Sequence, residues 1–105
     1  SSTNAWIVDA EGNLVTRQWD GGGILNGVTR LALMELARER QIRIVERGFS
    51  VAEAQGAKEA FLTSTTAFVM PVVRIDGKPV GSGMPGPVTA GLRALYVAGV
   101  EKTQA

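Results

Sequence analysis

Cysteine and histidine are both missing from the 105 residues. Without cysteine there is no disulfide framework and no thiolate metal site. Without histidine, Ser-His and Cys-His nucleophilic chemistry and most zinc sites are excluded as well. An excess of charge of one sign is also lacking. Lys+Arg number 11 and Asp+Glu 10, for a formal net charge of +1, so nothing electrostatic points to nucleic acid or to an anionic membrane. No apolar run is long enough to span a bilayer and no secretory signal is visible, which leads us to expect a cytoplasmic protein. Internal repeats and low-complexity linkers are absent too. The composition, 45% hydrophobic and 20% charged, suits one small globular domain.

What the chain does have is glycine in one place. Gly21-Gly22-Gly23-Ile24-Leu25-Asn26-Gly27-Val28-Thr29-Arg30 is a flexible loop that runs into an amphipathic helix, predicted from Val28 to about Arg40. A helix N-terminus carries unpaired amides and the positive end of the dipole. With a hydroxyl at Thr29 and a cation at Arg30 beside it, the stretch is suited to a phosphate. Leu31, Met34 or Leu36, and Ala37 form the predicted apolar face, with Arg30, Glu35, Arg38, Glu39 and Arg40 mostly off it. The second unusual place is Thr63-Ser64-Thr65-Thr66, four hydroxyls at the end of a predicted strand. They could close a phosphate from the other side, or bond to their own backbone.

The remaining elements follow from local signals. Ala5-Trp6-Ile7-Val8 and Leu14-Val15-Thr16 read as a hairpin around the turn-rich Asp9 to Asn13, with Ser1 to Asn4 a frayed polar end on composition alone. Trp19 reads as a packing anchor in the loop. Ile42 to Glu46 alternates as a strand, and Ser50-Val51-Ala52-Glu53 fits a capping box for a short helix ending near Gly56. Phe68 to Ile75 is apolar and β-branched, Asp76-Gly77 is a hairpin turn, and Lys78-Pro79-Val80 returns as an edge strand. Pro87 opens the last helix, which carries Val88, Leu92, Leu95 and Val97, before a frayed tail from Glu101 to Ala105. The expected fold class is mixed α/β (α+β), with two hairpins arguing against an all-parallel sheet.

Three phosphate motifs compete for the glycine loop. The dinucleotide pattern G-x-G-x-x-G fails because Asn26 stands at the last glycine position. A P-loop skeleton from Gly22 has Val28 in place of its lysine, which argues against nucleotide hydrolysis. A metal-free cradle of amides and hydroxyls remains, for a phosphate that is a handle and is never transferred. The glycines alone also fit a tight strand-to-helix corner.

Ile24-Leu25-Asn26-Gly27-Val28-Thr29-Arg30 resembles the I-L-x-G-[IV]-T-R segment of the class IV (fold type IV) aminotransferases, which use pyridoxal 5'-phosphate. Four more stretches resemble that family in the same order: Ser1 to Trp6, Phe61 to Thr66, Ile75-Asp76-Gly77, and Gly83 to Thr89. The resemblance implies a twisted pseudo-barrel sheet with flanking helices. It implies that the amides of Val28 and Thr29 and the Thr29 hydroxyl hold the cofactor phosphate, with Gly27 giving the backbone close approach. Thr65 with Ser64 closes the phosphate from the other side. Leu25 packs on the pyridine ring, Ser2 and Asn4 lie at the cofactor edge, and Thr66 in the Ser64-Thr65-Thr66 turn faces the substrate carboxylate.

The family's Schiff-base lysine, ring-binding tyrosine and phosphate-binding arginine match nothing from Ser1 onward, and Lys58, Lys78 and Lys102 stand outside the matching context. Residues 1–105 therefore resemble the C-terminal domain of a two-domain enzyme whose lysine-bearing N-terminal domain precedes it. Alone, the chain is expected to be inactive. The resemblance implies amino acid and 2-oxo acid substrates, ping-pong transamination, and a homodimer with the active site between domains. Ser64-Thr65-Thr66 is most similar to the D-amino acid enzymes, and Phe68 stands where branched-chain enzymes carry an acidic residue. Branched-chain aminotransferases, (R)-selective amine transaminases and aminodeoxychorismate lyases stay open as alternatives, as does a non-catalytic binding module.

Overall fold

The computed structural model describes residues 3–18, 24–64 and 68–104, with side chains at all of these but 24–26 and 101–104. Strands β1 (Thr3–Val8) and β2 (Leu14–Thr16) form the first hairpin, in register Trp6 to Thr16 and Val8 to Leu14. The Asp9 carboxylate organises the connecting turn by accepting from the backbone N–H groups of Glu11 (3.0 Å) and Asn13 (2.8 Å). The chain then crosses through helix α1 (Ile24–Glu39) to β3 (Ile44–Glu46), which lies parallel to β2. A short helix α2 (Val51–Gln55) leads to β4 (Glu59–Ser64) and β5 (Phe68–Val72). A separate small hairpin, β6 (Arg74–Ile75) and β7 (Lys78–Pro79), precedes the last helix α3 (Pro87–Gln104). The main sheet has the order β3-β2-β1-β4-β5, antiparallel except at β2/β3, so the fold is mixed α/β as the sequence implies.

Strand alternation divides the core in two. Trp6, Val8, Leu14, Phe61 and Val69 face α1 and α3, where they meet Leu33, Met34, Ala37 and Leu92. Ile7, Val15 and Ala60 face the other way, under Ala54 and Ala57 near α2 and Val80 beyond the small hairpin. Trp6 and Phe61 are cross-strand partners whose rings stack at 5.8 Å and 4°.

Several boundaries differ from expectation. β1 begins at Thr3 rather than Ala5, because Thr3 and Asn4 pair with Ser64 and Thr63 instead of fraying. α1 begins at Ile24, a full turn before Val28, with Gly27 buried inside it. Its end explains the late start of β3. Gln41 N–H bonds the Arg38 carbonyl and Ile42 N–H the Ala37 carbonyl, a Schellman closure with Gln41 at φ 62. The apolar face of α1 is also rotated: Leu31 is 59% exposed, while Leu33 takes the buried position. Phe68 to Ile75 is broken at Val73, where the chain leaves the main sheet for the small hairpin that covers the second cluster. Ser50 caps α2 through Glu53 N–H (3.1 Å), but the Glu53 carboxylate turns to Arg47 rather than back to the cap. α3 continues to Gln104 rather than fraying from Glu101.

Candidate functional site

One end of the sheet gathers the described candidates. Asn4 stands opposite Thr63 and Thr3 opposite Ser64, so the start of β1 and the end of β4 meet there. Thr16 ends β2 at the same end, and from it the chain leaves for the glycine-rich loop and α1. Thr29 is buried on the second turn of that helix. Strand alternation puts Asn4 on the face of Trp6, towards α1, and Ser64 on the opposite face. Val28 is 58% exposed on α1. Ser2, Thr65, Thr66 and Trp19 lie outside the described residues, as does the side chain of Leu25.

Helix α1 opens one turn before Val28. With α1 opening at Ile24, the helix pattern leaves the amides of Ile24 to Asn26, among the described residues, without an intrahelical partner. Those of Val28 and Thr29 lie one turn further in, where the carbonyls of Ile24 and Leu25 stand at hydrogen-bonding spacing.

Arg30 does something other than expected. It is neither a solvated surface cation nor free to bind an anion, being 3% exposed. Its Nη1 donates to Thr16 Oγ1 at 3.2 Å and its Nη2 to the Arg17 carbonyl at 2.7 Å. Nη2 also reaches Glu46 Oε2 at 3.4 Å, and the guanidinium carbon lies 5.4 Å from the centroid of the Trp6 ring. The Thr16 hydroxyl in turn donates to the Ala5 carbonyl at 3.0 Å, and Trp6 Nε1 donates to Thr63 Oγ1 at 2.8 Å. This buried network was readable in one respect. Arg30, Leu33, Met34 and Ala37 follow the i, i+3, i+4, i+7 spacing of a single helix face, with the arginine at its head.

The donor set suits a phosphate group. Thr29 carries a hydroxyl and the first turn of a 16-residue helix carries amides, donor types that suit a dianion, while Ser64 carries a further hydroxyl on the opposite face of the sheet. Glu46, a carboxylate at this end, is paired with Arg30. Lysine is not part of it among the described side chains. Lys58 is exposed at the far end of β4, and Lys78 is exposed on the small hairpin. No group of His, Cys, Asp or Glu among the described residues could hold a metal ion, and no described helix is long and apolar enough to cross a membrane.

Two clefts lie elsewhere. One, of about 430 Å³, runs between α1 and α3 and is lined by Leu36, Leu95, Tyr96 and Val100 with Glu35 and Glu39. The other, of about 560 Å³, lies beside the Asp9 turn, where Arg47 pairs with Glu53. Burial would raise the Asp9 carboxyl, but hydrogen bonds from Asn13 and Glu11 together outweigh it and hold it below its ordinary value. The hydrogen bond from Arg47 likewise lowers Glu53.

Residues 1–75 match the family described as amino-transferase class IV. A D-alanine aminotransferase of Bacillus licheniformis is 47% identical over 66 residues, which is 63% of this chain and 23% of that protein. The D-alanine aminotransferase of Staphylococcus aureus strain COL is 37% identical over 93 residues, 89% of this chain and 32% of that protein. Among solved structures, the branched-chain amino acid aminotransferase of Escherichia coli superposes with a TM-score of 0.80 at 32% identity, covering 92% of this chain and 32% of that one. The branched-chain amino acid aminotransferase from Thermobaculum terrenum, solved in its PLP-form, gives 0.76 at 33% identity, covering 90% of this chain and 31% of that one. The chain thus spans 23% to 32% of the length of these curated relatives.

Proposed function

Since the chain belongs to the class IV aminotransferase family, we propose that it forms the phosphate-holding part of a pyridoxal-phosphate-dependent enzyme that transfers the amino group of D-amino acids to 2-oxo acids. The observation that carries this is the meeting of the α1 start, the β1 start and the β4 end at one end of the sheet, with neutral donors from each. The identity to D-alanine aminotransferases, 47% and 37%, supports the D-amino acid reading.

In this reading the Thr29 hydroxyl and the first-turn amides, with Gly27 allowing close approach, hold the phosphate from one side. The family resemblance adds the Val28 and Thr29 amides to this side. Ser64 and Thr65 hold it from the other side, Leu25 lies against the ring, and Ser2 and Asn4 fix its edge. Thr66 receives the substrate carboxylate through its backbone. Bound pyridoxal phosphate supplies the electron sink for amino-group transfer. A lysine on an N-terminal domain supplies the covalent attachment, so residues 1–105 alone bind without turnover. The full-length enzyme is a homodimer that works in the cytoplasm.

The test is transfer from D-alanine to 2-oxoglutarate by the full-length protein, alongside Thr29→Val. D-Alanine turnover that falls with Thr29→Val is the expected result. Activity restricted to L-leucine and L-glutamate would move the assignment to the branched-chain enzymes, whose fold is matched with TM-scores of 0.80 and 0.76. Pyruvate released by elimination without an acceptor would move it to the lyases.

A further inference from the structure

Arg30 occupies an unusual position for a side chain whose hydrogen-bond partners among the described residues are Thr16, Arg17 and Glu46, none of them a candidate ligand group. Three described candidates, Thr29, Asn4 and Ser64, are each the chain neighbour of a residue in its buried network. Thr29 precedes Arg30 itself. Asn4 precedes Ala5, whose carbonyl accepts from Thr16 Oγ1. Ser64 follows Thr63, whose hydroxyl accepts from the Trp6 indole under the guanidinium. The Arg17 carbonyl, which accepts from Arg30 at 2.7 Å, stands at the root of the glycine-rich stretch.

We propose that Arg30 is a positioning residue that holds the α1 half of the phosphate site in register with the β1/β4 half. The proposal rests on the phosphate reading above and goes beyond it by naming what aligns the two halves. The geometry needs a guanidinium. Its planar fork gives Nη1 to a hydroxyl on β2 and Nη2 to a main-chain carbonyl and a carboxylate on β3, while its face lies over Trp6 on β1. An ammonium supplies charge and donors but neither the fork nor the flat stacking surface. The hydrogen bonds also run in one direction, from Arg30 Nη1 to Thr16 Oγ1 and from Thr16 Oγ1–H to the Ala5 carbonyl, so each group's donor and acceptor role is fixed. A shift of α1 along the sheet would strain the Arg30 bonds to Thr16, Arg17 and Glu46 together, while the Thr16–Ala5 bond stays between the strands. The sequence that joins β2 to α1 holds three consecutive glycines, Gly21 to Gly23, and glycine has no φ/ψ preference that would set a register. Core packing of Leu33, Met34 and Ala37 holds the body of α1, and this clamp is the polar contact that sets its first turns, and so Thr29, against the sheet.

The test separates the phosphate from the rest of the cofactor. Apo full-length protein is titrated with pyridoxal phosphate and with pyridoxal, and the ratio of the two Kd values is compared for wild type, Arg30→Met and Arg30→Lys. Thermal midpoints of the apo forms are recorded alongside. Arg30→Met should cut the preference for the phosphate-bearing form by about 10- to 100-fold, by analogy with the loss of a group that orients a metal ligand. Its affinity for pyridoxal should stay near wild type, and Arg30→Lys should fall between. Affinities for both compounds falling in parallel with the midpoint, or a ratio unchanged in both variants, would overturn the proposal. If Arg30→Met does not fold, the same reading is made on Arg30→Lys and on Thr16→Val, which removes one arm of the clamp. A wild-type protein with no preference for pyridoxal phosphate over pyridoxal would sink the phosphate reading itself. A wild-type preference untouched by the variants would sink only the role of Arg30.

Discussion

Replacing Glu59 with Gln should loosen the start of α3 by an amount that the geometry allows to be worked out. Glu59 is buried at the first position of β4, and its two carboxylate oxygens each accept one helix amide: Val88 N–H at 3.1 Å and Thr89 N–H at 2.7 Å. Glutamine has nearly the same shape but one oxygen. Its amide nitrogen would face a helix N–H, donor against donor, leaving one buried amide unpaired at a cost of about 1–3 kcal/mol. The surviving bond becomes a neutral one, and the loss of negative charge at the helix start costs about 0.3–1 kcal/mol more. The total, about 1.3–4 kcal/mol, corresponds to about an 8- to 700-fold rise in local opening, since 1.4 kcal/mol is tenfold. The assay is amide hydrogen exchange of the full-length protein, read on the peptide that contains Val88 and Thr89. Lys58→Gln, at an exposed neighbour, should leave that exchange unchanged. Equal protection in wild type and Glu59→Gln would refute the claim that this carboxylate caps α3.

Three other outcomes are expected. Thr63→Val should cost about 1–3 kcal/mol by leaving the buried Trp6 N–H unpaired, and Trp6→Phe combined with it should cost less than the sum of the two singles, as thermal midpoints would show. Gly81 has φ +57 and its missing Cβ points into the Lys58 carbonyl, so Gly81→Ala should cost more than the roughly 1–2 kcal/mol of left-handed strain alone; a midpoint equal to wild type would contradict this. Asp9 and Glu53 have folded pKa values below their unfolded ones, so their contribution to stability is present above the unfolded carboxylate pKa of about 4 and is lost as pH falls through the folded values. Thermal midpoints should therefore drop on acidification, and Asp9→Asn should flatten that drop while lowering the midpoint at neutral pH.

Most of the framework was legible because its signals are local. Asp76-Gly77 specified a two-residue turn, both residues at positive φ (50 and 79), and Pro87 marked the first turn of α3. Ser50 was readable as a cap from its spacing to Glu53. The start of α1 was misread because Gly27 looked like the last glycine of a loop, whereas the helix runs through it. The long-range polar partners had no local signal. Glu59 lies 29 and 30 residues from the amides it accepts from, and Arg30 lies 13 to 16 residues from the groups it bonds. Helical phase alone could have placed Arg30 on the buried face, but a charged residue heading an apolar stripe reads as its solvent edge. Thr63 is a similar case. Among four hydroxyl residues in a row, only the register with Asn4, on the Trp6 face, separates the one that supports the indole from Ser64.

The most direct measurement is a visible absorbance spectrum of the purified full-length protein, taken before and after addition of D-alanine and, separately, of L-leucine. A yellow protein whose long-wavelength band falls with D-alanine and not with L-leucine is the predicted result. A band that responds only to L-leucine, or a protein that takes up no pyridoxal phosphate when it is supplied, would contradict the account.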